Sequence, residues 1–175
     1  MGMSVTISTA GEDDAEQILK LQYLCHQAEA ELHGDYSIAP LTQSLAALRA
    51  ELAGACVLVA RLGQEVVGSV RATVDGEGTA LLVGPIVHPR LQRHGLGGRL
   101  LAAVEEQLVA ERSARRFRSV TGRRNEGGLR LSRRAGYERT ATEQPVRGPG
   151  SVTLEKAADA SRAAGGRAAD FVTSA

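Results

Sequence analysis

The sequence predicts an α/β fold in which a central mixed β-sheet is flanked by helices, in the order β-α-α-β-β-β-α-β-α-β-β. Three observations carry this expectation. Apolar residues recur three and four apart in three long stretches, the period of a helix buried on one side. Short apolar runs, bounded by Gly, Pro and Asp turn signals, lie between and after them and read as strands. The two kinds of element alternate along the second half of the chain, which asks for a sheet with helices packed on it.

Val5 to Thr9 reads as the first strand. Gly11-Glu12-Asp13-Asp14 then places acidic residues where a helix begins and where its dipole favours them. Ile18, Leu21, Cys25, Ala28 and Leu32 mark one face of that helix, and Gly34 can end it. A second helix carries Leu41, Leu45, Leu48 and Leu52 and closes at Gly54. From Ala55 to Arg61 the period changes to that of a strand, Gly63-Gln64 turns, and Glu65 to Val74 returns as a hairpin partner. Asp75-Gly76 is a further turn. Thr79 to Val87 is an apolar strand with Gly84 and Pro85 inside it, a pair that suggests a bulge or a break in pairing. Leu96, Leu100, Leu101, Val104 and Leu108 define a long helix from Gly95 to Arg112. Phe117 to Thr121 is a strand, and Asn125 to Arg134 a short helix ending at Gly136. Tyr137 to Thr142 and Val152 to Glu155 are the last two strands. Residues 1–158 are expected to form one domain. From 159 to 175 the chain is Ala, Gly, Asp, Arg and Ser with one Phe and no core face, a low-complexity tail.

Composition narrows the function. The chain has 175 residues, 43% of them hydrophobic, and a net charge of +1. A near-neutral total argues against a dedicated nucleic-acid binder. No apolar run approaches the roughly 18 residues that cross a bilayer, and no membrane partner is expected. The first residues lack the basic-then-apolar pattern of a signal peptide. Met1-Gly2 with Thr6 matches the loose myristoylation pattern, which is given little weight. Cys25 and Cys56 do not make a disulfide framework, so a reduced, cytoplasmic setting is expected. Charge is unevenly spread. Met1 to Gly84 holds four basic and eleven acidic residues, and Pro85 to Arg147 fourteen basic and six acidic. One half of the chain tolerates cations and the other anions.

The informative segment runs Gly84-Pro85-Ile86-Val87-His88-Pro89-Arg90-Leu91-Gln92-Arg93-His94-Gly95-Leu96-Gly97-Gly98-Arg99. A strand ends, a short polar loop follows, and glycines open a long amphipathic helix. The first N–H groups of a helix have no internal partner and carry partial positive charge. Glycines let a ligand approach that backbone, and Arg90, Arg93 and Arg99 add charge, so the arrangement suits a phosphate or pyrophosphate. A P-loop would need Gly-Lys-Ser/Thr, and the segment has no Lys. A dinucleotide fingerprint would need Gly at 100, which is Leu100.

The segment resembles the acetyl-CoA-binding motif of the GNAT superfamily of N-acetyltransferases: a strand ending in Val-x-Pro (Val87-His88-Pro89), then Gln/Arg-x-x-Gly-x-Gly/Ala (Gln92 to Gly97), then a helix. Asn125 through Tyr137 resembles the family's second motif, and the element order extends the likeness from about Val5 to Lys156. The resemblance implies that acetyl-CoA is the acyl donor, lying where two neighbouring strands separate at Gly84-Pro85. Pro85, Ile86 and Val87 would line its pantetheine arm. Gln92, Arg93, His94, Gly95, Leu96, Gly97 and Gly98 would hold the pyrophosphate, and Asn125 would touch the arm. The acceptor implied is a small-molecule or peptide amine, attacked directly in a ternary complex. A homodimer is compatible, since dimers are common in the family.

Two departures stand out. Where many members have a Tyr that protonates the departing sulfur, seven residues after the Asn, this chain has Ser132, a poorer acid. The strand ending in Val-x-Pro, Thr79 to Val87, contains no acid to serve as base. The alternative reading is therefore a non-catalytic acetyl-CoA-binding sensor or scaffold. Glu29, Glu31 and Asp35, near the end of the first helix, are the expected acceptor-binding residues. Tyr137 reads as a core aromatic and Cys25 as core. His26 and His33 with Glu29 could be imagined as a metal site, but no supporting pattern exists and no metal is expected.

Overall fold

The structure, a computed structural model, describes residues 4–143 and 150–158. Seven strands form one sheet in the order β1-β2-β3-β4-β5-β7-β6. They are β1 (Val5–Thr9), β2 (Cys56–Leu62), β3 (Glu65–Val74), β4 (Thr79–Val87), β5 (Arg116–Gly122), β6 (Glu138–Glu143) and β7 (Ser151–Ala157). Pairing is mixed. β1–β2, β2–β3, β5–β7 and β6–β7 are antiparallel, and β4–β5 is parallel. The expected α/β architecture is therefore present. The tail expected from 159 lies outside the described residues.

The chain divides into two compact units, Met1–Ala72 with Val83–Val104, and Thr73–Leu82 with Glu105–Ala175. In the first, α1 (Ala15–His33) ends at Gly34, whose left-handed backbone turns the chain while its N–H reaches the Ala30 carbonyl. Ile18 and Leu21 are fully buried as their spacing predicts. The rest of that face departs from expectation. Cys25 is half-buried, Ala28 is exposed and Leu32 is 79% exposed, while Ala30 is buried in their place. The last two turns of α1 have thus left the core, and Tyr23, Leu24 and Tyr36 are also exposed.

The expected second helix is two. α2 (Ala39–Thr42) is one turn, and α3 (Leu45–Ala53) starts afresh because the Ser44 side chain accepts the Ala47 N–H at 3.1 Å as an N-cap. The periodic leucines remain in use, with Leu41 and Leu48 buried from either piece. Ile18, Leu21 and Leu48 pack on Val57, Val59 and Val66 as one cluster. Beside it, Gln22, Gln43, Glu51 and Arg71 close a polar network tying α1, α3 and β3 together. α4 (Leu96–Arg112) buries Leu96, Leu100, Leu101, Val104 and Leu108, as expected. Gly68 on β3 is what admits it: a Cβ there would stand 2.9 Å from Leu100 Cδ1 and 3.3 Å from both the Ala60 Cβ and the Ile86 carbonyl oxygen.

In the second unit the Asp75 carboxylate accepts the N–H groups of Glu77 and Thr79, both at 2.9 Å, and fixes the turn read from Asp75-Gly76. Phe117, Val152 and Leu154 are buried from β5 and β7. α5 (Glu126–Arg134) is capped by Asn125.

One ion pair anchors the start of α1. Asp14, buried in a 3-10 turn at Glu12–Asp14, takes a two-pronged pair from Arg61 on β2, at 2.8 and 2.5 Å, and also accepts the Gly11 N–H at 2.7 Å. The Arg61 guanidinium holds the Asp14 carboxyl below the usual carboxylate range. A lowered folded-state value stabilises the fold above the ordinary aspartate pKa of about 3.9, and the effect is lost as pH falls through the folded value. Asp14→Asn is expected to cost about 1–3 kcal/mol near pH 7. In urea melts at a series of pH values, the gap to wild type should stay constant above about pH 5 and close below about pH 4. A gap that widens on acidification would refute this account.

Candidate active site

The site is built from the end of β4 and the loop that follows. The parallel ladder between β4 and β5 comprises four residue pairs, Thr79↔Arg116 to Leu82↔Ser119, yet β4 continues as a strand to Val87. The break in pairing expected at Gly84-Pro85 thus begins at Val83. Over this stretch, each peptide's direction can be fixed. The His88 N–H donates to the Val67 carbonyl of β3 at 2.8 Å, and the Ile86 carbonyl oxygen lies beside Gly68 of β3. Peptides are planar and trans, so the N–H and C=O of Val87 both point away from β3. Alternation turns the Pro85 carbonyl the same way, while Pro85 has no N–H. This edge of β4 therefore presents an acceptor at Pro85 and a donor at Val87. The polar groups of Ile86 face β3, and its side chain packs against the first unit's core.

The Val87 carbonyl has two partners. The Cys25 thiol on α1 donates to it at 3.2 Å, and the Gln92 side-chain amide at 3.1 Å. Gln92, expected to meet a cofactor, thus uses its side chain inside the loop. Pro89–Leu91 forms a 3-10 turn in which His88 Nδ1 accepts the Arg90 N–H at 3.2 Å.

Beyond it, Gln92, Arg93, His94 and Gly95 are all exposed. Arg93 has φ 67° and Gly95 φ 79°, two left-handed residues that wind the chain back on itself. A left-handed Arg is uncommon and is held here by its surroundings, whereas Gly at 95 adopts that conformation without strain. The Arg99 N–H bonds to the Gly95 carbonyl at 3.1 Å as the first intrahelical donor of α4. The N–H groups of Leu96, Gly97 and Gly98 precede it and have no intrahelical acceptor. The loop from His88 to Gly98 contains no acidic residue. Exposed, left-handed and donor-rich, it fits the diphosphate of a nucleotide cofactor.

The second unit carries the other sequence-selected residues. The Asn125 Oδ1 accepts the Gly128 N–H at 2.9 Å, so its Nδ2 donors are the ones left for a ligand. Ser132 is buried at 7% exposure, and its carbonyl accepts the Tyr137 N–H. Tyr137 is a core aromatic, as expected, with a polar end. Its phenol donates to buried Glu105 at 2.8 Å, and Lys156 completes the cluster at 2.9 Å. Burial and the Glu105 charge push the Tyr137 phenol well above its usual range, so it keeps its proton. No sequence pattern linked Glu105 to Tyr137, because their contact joins a helix to a turn 32 residues away.

Glu29, Glu31 and Asp35 lie at the end of α1 and just past it. Glu29 pairs with the His26 ring at 3.3 Å, and Glu31 is exposed. Asp35 is exposed and accepts both the N–H (3.0 Å) and hydroxyl (2.6 Å) of Ser37, which hold its carboxyl below the usual range.

Comparison with known proteins bears on this site. The family model "Acetyltransferase (GNAT) family" matches residues 15–137. No curated protein matches the chain. Among solved structures, the PaiA N-acetyltransferase of Thermoplasma acidophilum, in complex with coenzyme A, is similar over 89% of this chain and 99% of its own, with TM-score 0.73 and 17% identity. The protein yncA of Salmonella typhimurium, with its cofactor acetyl-CoA, covers 89% and 95%, with TM-score 0.69 and 23% identity. The ribosomal-protein-S18-alanine N-acetyltransferase of Escherichia coli covers 89% and 95%, with TM-score 0.72 and 15% identity. At these identities the likeness is one of fold.

Proposed function

The chain belongs to the GNAT family of acetyltransferases, and from that premise we propose that it transfers acetyl from acetyl-CoA to a primary amine, directly and within a ternary complex. The observation that carries the reading is the combination at the end of β4: a strand edge facing away from β3 with the Pro85 carbonyl and Val87 N–H on it, leading into three orphan N–H groups at Leu96, Gly97 and Gly98. Acetyl-CoA supplies a pantetheine arm whose amides match such an edge, a diphosphate that matches the loop, and an activated thioester. Pro85 and Val87 hold the arm by backbone hydrogen bonds and Ile86 supports it by packing. Gln92, Arg93, His94, Gly95, Leu96, Gly97 and Gly98 form the anion-binding turn. Asn125 carries over from the family motif as a contact of the arm.

Of the backbone donors at the end of β4, the Val87 N–H is the one placed to stabilise negative charge on a carbonyl oxygen during attack. An alkylamine with a pKa of about 10.4 arrives protonated, and its proton must be removed. β4 holds no acid, so water relays that proton to the carboxylates of Glu29, Glu31 or Asp35. Tyr137 cannot serve as acid, because Glu105 holds its proton. Ser132 or water then protonates the sulfur.

An acidic wall on one side and a phosphate loop on the other favour a cationic acceptor. The N-terminal half of the chain, with four basic and eleven acidic residues, supplies that wall. Screening over about 8–10 Å restricts the effect to residues at the pocket. Exposed Leu32 and Tyr36 stand among the same carboxylates and suit an acceptor with an apolar portion.

Three measurements test this. Gly97→Glu places a carboxylate among the orphan N–H groups and should abolish acetyl-CoA binding by calorimetry while the circular dichroism stays native; unchanged affinity would sink the assignment. Glu29→Gln, Glu31→Gln and Asp35→Asn should each raise the acceptor KM by about three- to tenfold, and whichever relays the proton should lower kcat too. Wild-type kinetics in all three, or a best acceptor that is anionic, would count against a cationic substrate. Ser132→Ala should lower kcat if the hydroxyl is the acid, and an unchanged kcat assigns the proton to water. CoA binding without turnover on any amine would instead favour a sensor or scaffold.

A further inference from the structure

We infer that Cys25 and Gln92 are positioning residues that clamp the Val87 carbonyl and so fix the peptide edge on which the acyl donor is held. The inference rests on the acetyltransferase reading and names a device within it. The peptide between Val87 and His88 is held from both sides. On one, the His88 N–H bonds to β3 at 2.8 Å; on the other, the Val87 carbonyl receives the Cys25 thiol at 3.2 Å and the Gln92 amide at 3.1 Å. Past Leu82 the β5 ladder no longer supplies partners to β4. Two side chains from distant parts of the sequence, α1 and the loop after β4, do its work at this carbonyl.

Their convergence has two consequences. First, with its carbonyl satisfied inside the protein, Val87 offers a ligand its N–H alone. The edge then reads acceptor at Pro85 and donor at Val87, with no competing acceptor at the strand's end. Second, α1 is tied to β4 four residues before Glu29, so the helix bearing the acceptor-side carboxylates and the strand bearing the donor-side backbone share one hydrogen bond. Only the thiol form can donate. Burial pushes the Cys25 thiol up to about 11, so at neutral pH it keeps its proton. A buried thiol of this kind is a poor nucleophile, and its part is to orient, not to react.

Cys25→Ala, Cys25→Ser and Gln92→Ala test the clamp with two readouts. The first needs no cofactor. The Val87 carbonyl 13C resonance should move upfield in Cys25→Ala and in Gln92→Ala, and return towards wild type in Cys25→Ser, whose hydroxyl can donate to the same oxygen. The second is CoA affinity by calorimetry, with kinetics on the best amine. Cys25→Ala should weaken CoA binding by about three- to tenfold, the worth of one hydrogen bond. It should raise the KM for acetyl-CoA more than it lowers kcat, and Cys25→Ser should restore affinity to within about twofold. A merely space-filling role would leave Cys25→Ser no better than Cys25→Ala and the carbonyl resonance unmoved. That result, or wild-type CoA affinity in a folded Cys25→Ala protein, overturns the inference. Failure of the wild-type protein to bind CoA would instead overturn the acetyltransferase reading, and the carbonyl resonance would still decide whether the clamp exists.

Discussion

A parallel ladder that stops after four residue pairs, while one of its strands runs on, is the constraint from which the rest of the site follows. Buried or half-buried backbone polar groups must find partners. β4 past Leu82 keeps β3 on one side and loses its ladder on the other. The orphaned groups at Pro85 and Val87 have three possible answers: water, protein side chains, or a ligand that imitates a strand. The structure uses the second for the Val87 carbonyl. The Val87 N–H and the Pro85 carbonyl are left for the third. Pro85 sharpens this, since a residue without an N–H cannot invite another β-strand to pair along the same edge.

The same economy governs the loop that follows. β4 must turn into α4 within a few residues, and two left-handed residues, Arg93 and Gly95, make the turn. The cost of a left-handed Arg is of order 1 kcal/mol. What it brings is the exposure of the first α4 N–H groups, which a smoother entry would bury or cap with a side chain. No Ser, Thr, Asp or Asn stands at the start of α4; Gly95 does, and it has no side chain to occupy the donors. α5 is the contrast. Its N-terminus is capped by Asn125 through the Gly128 N–H, and Gly128 is needed because the Asn125 side chain lies where a Cβ would stand, 2.7 Å from Nδ2. One helix start is kept open for an anion and the other is closed by its own side chain.

Most of the fold was legible because its elements are locally determined. β1, β3 and β4 begin and end at the residues that period and turn chemistry indicate, and α4 buries the leucines its spacing selects. The failures have physical causes. The split between α2 and α3 came from Ser44, whose capping preference outweighed a leucine period that continues unbroken through it. Leu32 fits the apolar face of α1 by spacing alone, but the helix outruns the sheet it packs on, and no period can show where a neighbour ends. Of the site, the backbone part was readable, since glycines and prolines declare their geometry. The side-chain part was not. Cys25 reads as core because its half-burial resembles a core position, and nothing in the sequence places its thiol on a carbonyl 62 residues away.

The two departures from the family pattern acquire a common explanation in this light. A tyrosine acid and a strand glutamate would be side-chain answers to the proton problem, and this chain has neither. Tyr137, the aromatic that remains, is bound to Glu105 inside a buried cluster with Lys156, and so is committed to holding α4 against β7 and the turn before β6. Titratable groups of the first unit are placed instead on the solvent-facing end of α1, where Glu29, Glu31 and Asp35 exchange protons with water freely. Moving acid–base work from fixed side chains to water costs rate, since a positioned acid or base contributes about 10²–10⁴-fold. It also relaxes the geometric demand on the acceptor, which need only bring its amine to the Val87 edge and its charge to the α1 carboxylates. A chain built this way gains breadth among cationic amines at the expense of speed on any one. That balance follows directly from having a rigid backbone site for the acyl donor and an exposed, side-chain-only site for the acceptor.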